Sequence, residues 1–211
     1  MSGGEGSLWL IRHGQTDGNG RRYVGWEDAP LNGTGELQAA AIAATLAEQP
    51  PAAIYASPLR RARDTAAPLA RALKLPIALE PDLREIHYGD YQGQAKSELQ
   101  LKLRKHYLHR RLPAGESLHD VYRRACRFRQ RIAADLAAAR SVAVFGHYWS
   151  IRLVLGALTD TSFDALFRPG GYKPANGSIY HIRYRPWGAS VTLVAAGYRE
   201  ARPGAGDEFP P

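Results

Sequence analysis

Residues 7–14 read SLWLIRHG, and residues 142–147 read VAVFGH. Each stretch is a short apolar run followed closely by a histidine, His13 in the first and His147 in the second. Short apolar runs bounded by polar residues and glycine are typical of buried strands. In sheets of parallel strands, ligands bind beyond the carboxyl ends of the strands. We therefore expect both histidines to lie at one ligand-binding edge of a sheet.

Strand and helix patterns alternate along the rest of the chain. This alternation predicts an α/β fold, a three-layer sandwich in which helices flank a mostly parallel central sheet. The triplets 32–34 and 176–178 match the glycosylation sequon, but we interpret them as turns and a cap. Thr34 is the expected cap of the first helix. The predicted strands are 7–11, 52–56, 76–79 and 142–145, with an antiparallel pair at 179–184 and 191–195, and the predicted helices are 33–47, 57–73, 117–139 and 151–158.

Length and composition indicate one folded domain. A chain of 211 residues fits a single domain, which we expect over residues 7–200. The ends, 1–6 and 201–211, are rich in Gly, Pro or acidic residues without apolar periodicity, so flexible termini are predicted there. Cys126 is the single cysteine, which excludes an internal disulfide. Without a long apolar run or a secretory signal, a cytoplasmic protein with no membrane partner is expected.

The positive charge needs an explanation, because 28 Lys and Arg face 20 Asp and Glu, for a net charge of +8. Such an excess indicates nucleic acid, acidic lipid or a small anionic substrate as partner. The Arg-rich segments lack interleaved stacking aromatics, so no nucleic-acid partner is expected. Six arginines on predicted helices are instead interpreted as solvated: Arg60, Arg63, Arg123, Arg124, Arg127 and Arg129.

Several motifs place phosphate-binding groups near strand ends. In Arg12-His13-Gly14, the guanidinium is suited to phosphate oxygens, and Gly14 is expected to let a substrate approach the backbone. The stretch 57–66, SPLRRARDTA, enters a helix at a strand end, where backbone N–H groups favour anions. In 83–93, LREIHYGDYQG, either Glu85 or Asp90 could donate a proton if its pKa were raised.

Taken together, the motifs resemble those of the histidine phosphatase superfamily, the phosphoglycerate-mutase-like clan. The resemblance extends over residues 7–184 and includes Asn19 and Arg22. The blocks that carry it, in order, are RHGQT (12–16), GWEDAPLNGTG (25–35), SPLRRARDTA (57–66), LREIHYGDYQG (83–93), PAGES (113–117) and GHYWSIR (146–152).

The resemblance implies a role for each matching residue. His13 matches the nucleophile that accepts the phosphoryl group, and Glu85 matches the proton donor and acceptor. Arg12, Arg61 and a protonated His147 match the groups that hold the phosphoryl oxygens, with no metal and no cofactor. The substrate-binding residues expected around them are Gln15, Thr16, Asn19, Arg22 and Tyr148.

We expect a phosphomonoesterase that hydrolyses a small anionic phosphorylated metabolite through phosphohistidine. The alternatives are a cofactor-dependent mutase, a phosphoprotein phosphatase and a non-catalytic phosphate-ester-binding module, and a homodimer is left open. The short segment 93–113 favours hydrolysis, and its basic part, 102–111, favours substrates with a second anionic group. Tyr148-Trp149 follows His147 where many relatives have Gly, so the two rings are expected to narrow or reshape the pocket. Substrate choice is expected to depend on 93–113, 148–149 and 167–172.

Overall fold

The computed structural model describes residues 6–103, 107–138, 140–167, 173–185 and 188–195. Their centre is a six-stranded sheet with strand order β3-β2-β4-β1-β5-β6. The first four strands in this order pair in parallel, whereas β5 pairs antiparallel with both β1 and β6. The strands are β1 (Gly6–Arg12), β2 (Ala53–Ala56), β3 (Ile77–Leu79), β4 (Ser141–Gly146), β5 (Ile179–Arg185) and β6 (Gly188–Ala195).

Five α-helices accompany the sheet in the described residues: α1 (Gly33–Ala47), α2 (Arg60–Leu73), α3 (Lys96–Leu103), α4 (Leu118–Ala137) and α5 (Tyr148–Leu158). Side chains of β1 alternate between two cores, since Leu8 and Leu10 belong to the core under α4 and α5. Trp9 and Ile11 belong to the core under α1 and α2. This period of two buries both faces of the central strand. The predicted three-layer α/β fold and its mostly parallel sheet are confirmed.

The cap of α1 and the starts of α2 and α5 differ from the predictions. Helix α2 begins at Arg60 rather than at Ser57, because Leu59 before it is still extended and forms the N-cap. Asn32, not Thr34, caps α1, because its Oδ1 accepts a hydrogen bond from Gly35 N at 3.0 Å. Helix α5 begins at residue 148 rather than 151. His147 is its N-cap residue, and the backbone N–H of His147 donates to Ser150 Oγ in the first turn at 2.9 Å. Helix α3 was not predicted.

The arginines of α4 are only partly a solvated face. Arg123 and Arg127 are exposed, as expected, but the prediction is wrong for Arg124, of which only 8% is exposed. Arg124 lies three residues after Val121 and four before Phe128, so it shares their buried stripe. The guanidinium of Arg129 is also hydrogen-bonded within the protein, since its Nη1 donates to Ala157 O at 2.7 Å.

The two arginines of α2 that were expected to be solvated differ in exposure. Arg60 is exposed and pairs with Asp64, whereas Arg63 is half-buried rather than fully solvated. Gly6, expected in a flexible terminus, is the first residue of β1 and is buried. The predictions for 1–5, 104–106, 168–172 and 201–211 lie outside the described residues. Within the part of the chain that is described, no helix is long and apolar enough to cross a membrane.

Candidate active site

The two histidines meet at the carboxyl ends of adjacent strands. Arg12 of β1 is in register with Gly146 of β4, and His13 N–H continues the ladder by donating to Gly146 O at 2.9 Å. His13 and His147 follow these strands, and their ring centroids lie 5.1 Å apart. They are 3% and 0% exposed. The predicted placement of both histidines at one sheet edge is confirmed.

His13 is held in one tautomer. Its Nδ1 lies 2.6 Å from the carbonyl oxygen of Gly14, which can only accept a hydrogen bond. Its Nε2 lies 3.3 Å from Nε of Arg61, which can only donate. Nδ1 therefore carries the hydrogen, and Nε2 presents a lone pair toward the site.

The surroundings of His13 keep its ring neutral. Burial lowers the pKa well below 6.5, and the charges of Arg61 and Arg12 lower it further. The Gly14 carbonyl acts in the opposite direction but is the weakest of these influences. A neutral imidazole with a free lone pair on Nε2 is the form that a nucleophile needs.

His147 is arranged as a hydrogen-bond donor. Its Nε2 lies 2.8 Å from Ser57 Oγ, which already accepts from Leu59 N at 3.3 Å. If the Ser57 hydroxyl donates to His147 Nε2, the ring proton resides on Nδ1. Nδ1 is buried and has no hydrogen-bond partner among the described residues. It can therefore donate to an oxygen of a bound ligand.

The expectation of a protonated His147 is wrong for the protein by itself. Burial lowers the pKa of His147 well below 6.5, followed by the charges of Arg61, His13 and Arg12. Positive charge at neutral pH therefore comes from the two arginines, and His147 contributes a neutral N–H.

Arg61 is fixed from three sides. Besides the contact with His13, its Nη1 donates to Glu27 O at 2.8 Å and its Nη2 donates to Gly25 O at 2.7 Å. Burial lowers the pKa of Arg61 to about 10, so the guanidinium is still charged at neutral pH. A buried cation that is already oriented needs little reorganisation to bind an anion.

Arg12 lies beside the aromatic pair that follows His147. Its Nη1 donates to Pro174 O at 2.7 Å, and its guanidinium carbon lies 5.3 Å from the centre of the Tyr148 ring. Trp149 is buried in the core under α4 and α5, and its ring packs edge to face against the Tyr148 ring, with the ring centroids 4.9 Å apart. The two rings thus form one aromatic unit directly after His147, and their effect on the pocket stays a prediction.

Of the two carboxyl groups considered in 83–93, Glu85 is buried and Asp90 is exposed. Glu85 Oε1 accepts hydrogen bonds from Ile86 N at 2.9 Å and from Trp149 N at 3.2 Å. Burial raises the pKa of Glu85, against the smaller opposing effects of these N–H groups and of Arg61 and Arg12. Glu85 thus reaches the first turn of α5, directly after His147.

The predicted substrate-binding residues divide into two groups. Asn19 Oδ1 accepts from Thr16 N at 2.7 Å and from Thr16 Oγ1 at 3.0 Å, so both belong to the ordered loop after His13. Gln15 and Arg22 are exposed, and Arg22 lies 3.8 Å from a carboxylate oxygen of Glu27. The structure does not bring these two side chains into contact with the histidine pair.

Two further residues hold the loop after β1 and were not assigned from the sequence. Asn176 Nδ2 donates to His13 O at 3.0 Å and to Gly14 O at 3.3 Å. Thr65 Oγ1 accepts from Gly14 N at 2.9 Å. Thr65 lies in the quoted 57–66 motif, which could have indicated its role. Asn176 lies in the triplet that was interpreted only as a turn.

Gly14 lies where a side chain would not fit. A Cβ atom at this position would lie 2.5 Å from Gly35 O, and one at Gly35 would lie 2.2 Å from Gln15 O. The two glycines therefore allow close packing of the loop after β1 against α1, and the expectation that Gly14 serves substrate approach stays a prediction.

The assembled groups suit a phosphoryl group. Two buried guanidinium groups, two buried neutral imidazoles and a buried carboxyl group with a raised pKa lie close enough at the sheet edge for the arginine charges to shift the pKa of the other groups. Phosphoryl transfer depends mainly on such positioning and charge stabilisation. Among the described residues, no group of three or more His, Cys, Asp or Glu side chains could hold a metal ion.

Comparisons with known proteins agree with this chemistry. The chain is 39% identical over 171 residues to a bifunctional protein of Mycobacterium tuberculosis, an alignment that covers 76% of this chain and 46% of that protein. The chain therefore spans less than half the length of that relative. It is 34% identical over 167 residues to a 2,3-bisphosphoglycerate-dependent phosphoglycerate mutase of Gloeobacter violaceus, covering 74% of this chain and 76% of the mutase.

A solved structure and a family profile extend the match over nearly the whole chain. The native structure of mycobacterial glucosyl-3-phosphoglycerate phosphatase superposes with a TM-score of 0.78 at 28% identity, covering 92% of this chain and 100% of that one. The profile of the histidine phosphatase superfamily (branch 1) matches residues 8–196. The chain is a member of the histidine phosphatase superfamily, as its motifs predicted.

Proposed function

We propose that the protein hydrolyses phosphate monoesters of small metabolites through a phosphohistidine formed on Nε2 of His13, without a metal ion. The observation that carries the proposal is the tautomer of His13. Gly14 O accepts the Nδ1 hydrogen, and Arg61 donates from Nε to the Nε2 lone pair, so this guanidinium lies next to the atom that attacks phosphorus in our proposal.

In the first step, the Nε2 lone pair of His13 forms a bond to phosphorus while the bond from phosphorus to the ester oxygen breaks. Glu85, whose pKa is raised by burial, acts in its protonated form and gives its proton to the departing oxygen. Arg12, Arg61 and the Nδ1–H of His147 stabilise the charge on the three equatorial oxygens. The products of the step are an alcohol and phosphohistidine.

In the second step, water attacks the phosphorus of phosphohistidine. The Glu85 carboxylate takes one proton from this water as the new oxygen–phosphorus bond forms. The nitrogen–phosphorus bond breaks, and its electron pair returns to Nε2 of His13, which is again neutral. Inorganic phosphate leaves, and Glu85 is protonated for the next turnover, so that one residue serves both steps.

We infer further that the preferred substrates carry a second anionic group. Arg110 is exposed in the basic segment 102–111, and the buried guanidinium of Arg12 lies 5.3 Å from the centre of the Tyr148 ring. Two relatives whose names contain phosphoglycerate act on molecules with a carboxylate near the phosphate. A panel of sugar phosphates, phosphoglycerates, nucleotides and a phosphopeptide, assayed by phosphate release, tests this proposal. Faster turnover of neutral monoesters or of the phosphopeptide contradicts it.

The decisive test of the mechanism is replacement of the nucleophile. His13→Gln is expected to abolish acid-labile phosphoenzyme and to lower the rate of phosphate release at least ~10³-fold. His181→Gln is the matched control, because His181 of β5 takes no part in the mechanism. Its ring stacks on Trp9 of β1, the strand that precedes His13, with the ring centroids 3.9 Å apart. Full activity of His13→Gln overturns the proposal.

The mutase remains the second candidate function, since a mutase is 34% identical to this chain. Both functions share the first step and differ in what discharges phosphohistidine. Labelled phosphoenzyme is therefore chased with water alone and with an added phosphoglycerate acceptor. Transfer of the label chiefly to the acceptor shows a mutase, whereas its release as inorganic phosphate at the same rate in both chases shows a phosphatase.

A further inference from the structure

The segment that carries Glu85 is fixed by a buried ion pair between Arg124 and Glu116, two residues that are not part of the site around His13 and His147. Arg124 of α4 donates from Nε to Oε1 of Glu116 and from Nη2 to Oε2, both at 2.9 Å. The Arg124 and Glu116 side chains are only 10% and 18% exposed. The two residues form a bidentate pair with parallel hydrogen bonds, a geometry that fixes both groups in one orientation.

Arg124 uses its remaining donors on the backbone before and at Glu85. Nη1 donates to Asp82 O at 2.7 Å and to Arg84 O at 3.0 Å. Nη2 donates to Glu85 O at 3.3 Å. One guanidinium therefore fixes three carbonyl groups of a four-residue stretch.

Glu116 fixes the backbone on the other side of Glu85. Its Oε2 accepts from His87 N at 3.0 Å, and its own backbone N–H donates to His87 O at 2.9 Å. Together, Arg124 and Glu116 hold the chain from residue 82 to residue 87, with Glu85 between the points of attachment.

Stability alone does not explain the arrangement. A buried ion pair loses hydration of both partners, and an apolar pair of similar size is often as stable or more so. Here all the backbone hydrogen bonds of the Arg124 and Glu116 side chains end on residues 82–87. The pair thus acts on one segment, the one that delivers the carboxyl group.

We propose that Arg124, together with Glu116, is a positioning residue that aims the Glu85 carboxyl group at the ester oxygen. The inference rests on the proposed function, in which Glu85 protonates the leaving group. Arg124 itself touches neither substrate nor His13 in this proposal, and it acts only through the backbone at 82–87.

The leaving group supplies a readout that a merely structural role does not move. An alkyl phosphate needs a proton on its departing oxygen, whereas 4-nitrophenyl phosphate releases a stabilised phenolate without one. The quantity compared is kcat/KM for each ester, because kcat/KM reports the steps up to formation of phosphohistidine. A displaced Glu85 must therefore slow the alkyl ester selectively.

Arg124→Met removes the donors and keeps an apolar stem. We expect a fall of about 10- to 100-fold in kcat/KM for the alkyl phosphate, and less than about 3-fold for 4-nitrophenyl phosphate. Arg127→Met is the matched control, since Arg127 lies one turn further along α4 and pairs with the Asp82 side chain at 2.7 Å while 57% exposed. It is expected to leave both esters unchanged.

Equal losses on the two esters, or no loss on either, overturn the proposal. If Arg124→Met does not fold, Glu116→Gln decides the question, since it keeps the size of the side chain and removes the charge that orients Arg124. Glu85→Gln is measured alongside. Absence of a selective loss in Glu85→Gln refutes the role of Glu85 in the proposed function, whereas a selective loss there but not in the Arg124 and Glu116 variants refutes the positioning role.

Discussion

Arg61 donates from Nε to Nε2 of His13 across 3.3 Å, while its two other nitrogens are bound to backbone carbonyls. The contact places a fixed positive charge next to the nucleophilic atom and helps to keep the ring from taking a proton. The same cation is available to a phosphoryl oxygen once Nε2 has attacked.

Arg61→Lys should therefore be far from conservative. A lysine ammonium group keeps the charge but cannot reach His13, Gly25 and Glu27 at once. We expect kcat to fall about 100-fold with a smaller change in KM, because the lost contacts matter most in the transition state. Arg60→Lys, at the neighbouring exposed position, is the control and should behave as wild type. Steady-state kinetics of both variants check this, and a loss below about 3-fold in Arg61→Lys contradicts it.

Ser57→Ala tests the tautomer of His147. Without the hydroxyl, nothing directs the ring proton to Nδ1, so we expect about 10-fold weaker binding of inorganic phosphate. The ¹⁵N shifts of the imidazole report the tautomer directly and should show Nδ1–H in wild type and a mixture in the variant. Ser141→Ala is a suitable control, since it removes a hydrogen bond to Trp9 outside the site. Unchanged ¹⁵N shifts in Ser57→Ala would show that Ser57 does not set the tautomer.

The dependence of kcat/KM on pH follows from two opposite shifts. Glu85 must be protonated to act first as an acid, and burial raises its pKa, so the rate with an alkyl phosphate falls as pH rises through that pKa. His13 must be neutral, and its pKa is lowered well below 6.5, so no acid limb is expected near pH 6.5. The profile is corrected for the ionisation of the substrate near pH ~6.

Glu85→Gln should remove the alkaline limb of this profile and leave the acidic side unchanged. An acid limb centred near 6.5 in the wild-type protein would show that His13 titrates like an ordinary histidine.

Stability should change with pH for the same reason. His13 and His147 stay neutral in the folded protein below pH 6.5, where they take up protons when unfolded. The unfolded state then binds more protons, so the free energy of unfolding decreases as pH falls, by at most about 1.4 kcal/mol per pH unit for each histidine. Denaturant unfolding between pH 7.5 and 5 measures this slope. The slope should be smaller in His13→Gln and His147→Gln, and equal slopes in all three proteins contradict the prediction.

Two glycines of α1 offer a matched pair for packing. Gly35→Ala puts a methyl group 2.2 Å from Gln15 O, and we expect it to lower the free energy of unfolding by about 1–3 kcal/mol. Gly33→Ala meets nothing within 4 Å and should alter stability by less than about 1 kcal/mol. Equal effects of the two substitutions in thermal unfolding would show that the contact between α1 and the loop after β1 is not tight.

The sequence predicted the sheet and the main site residues because both depend on local patterns. Apolar runs before His13 and His147 mark strand ends, and motif spacing singles out Arg61 and Glu85. The contacts of Asn176 lie more than 160 residues away along the chain, so no local pattern reveals them. The burial of Arg124 follows from its place on the stripe of α4, but residue type favoured an exposed position.

The loop after β1 is completed only by distant parts of the chain. His13 N–H is bound by Gly146 O, and Asn176 holds the carbonyl groups of His13 and Gly14. Ribosomal synthesis delivers His13 long before these partners, since Asn176 follows it by 163 residues. A nascent chain that stops before residue 176 therefore contains His13 without the contacts that orient it, so the site is assembled only after residue 176 has been added.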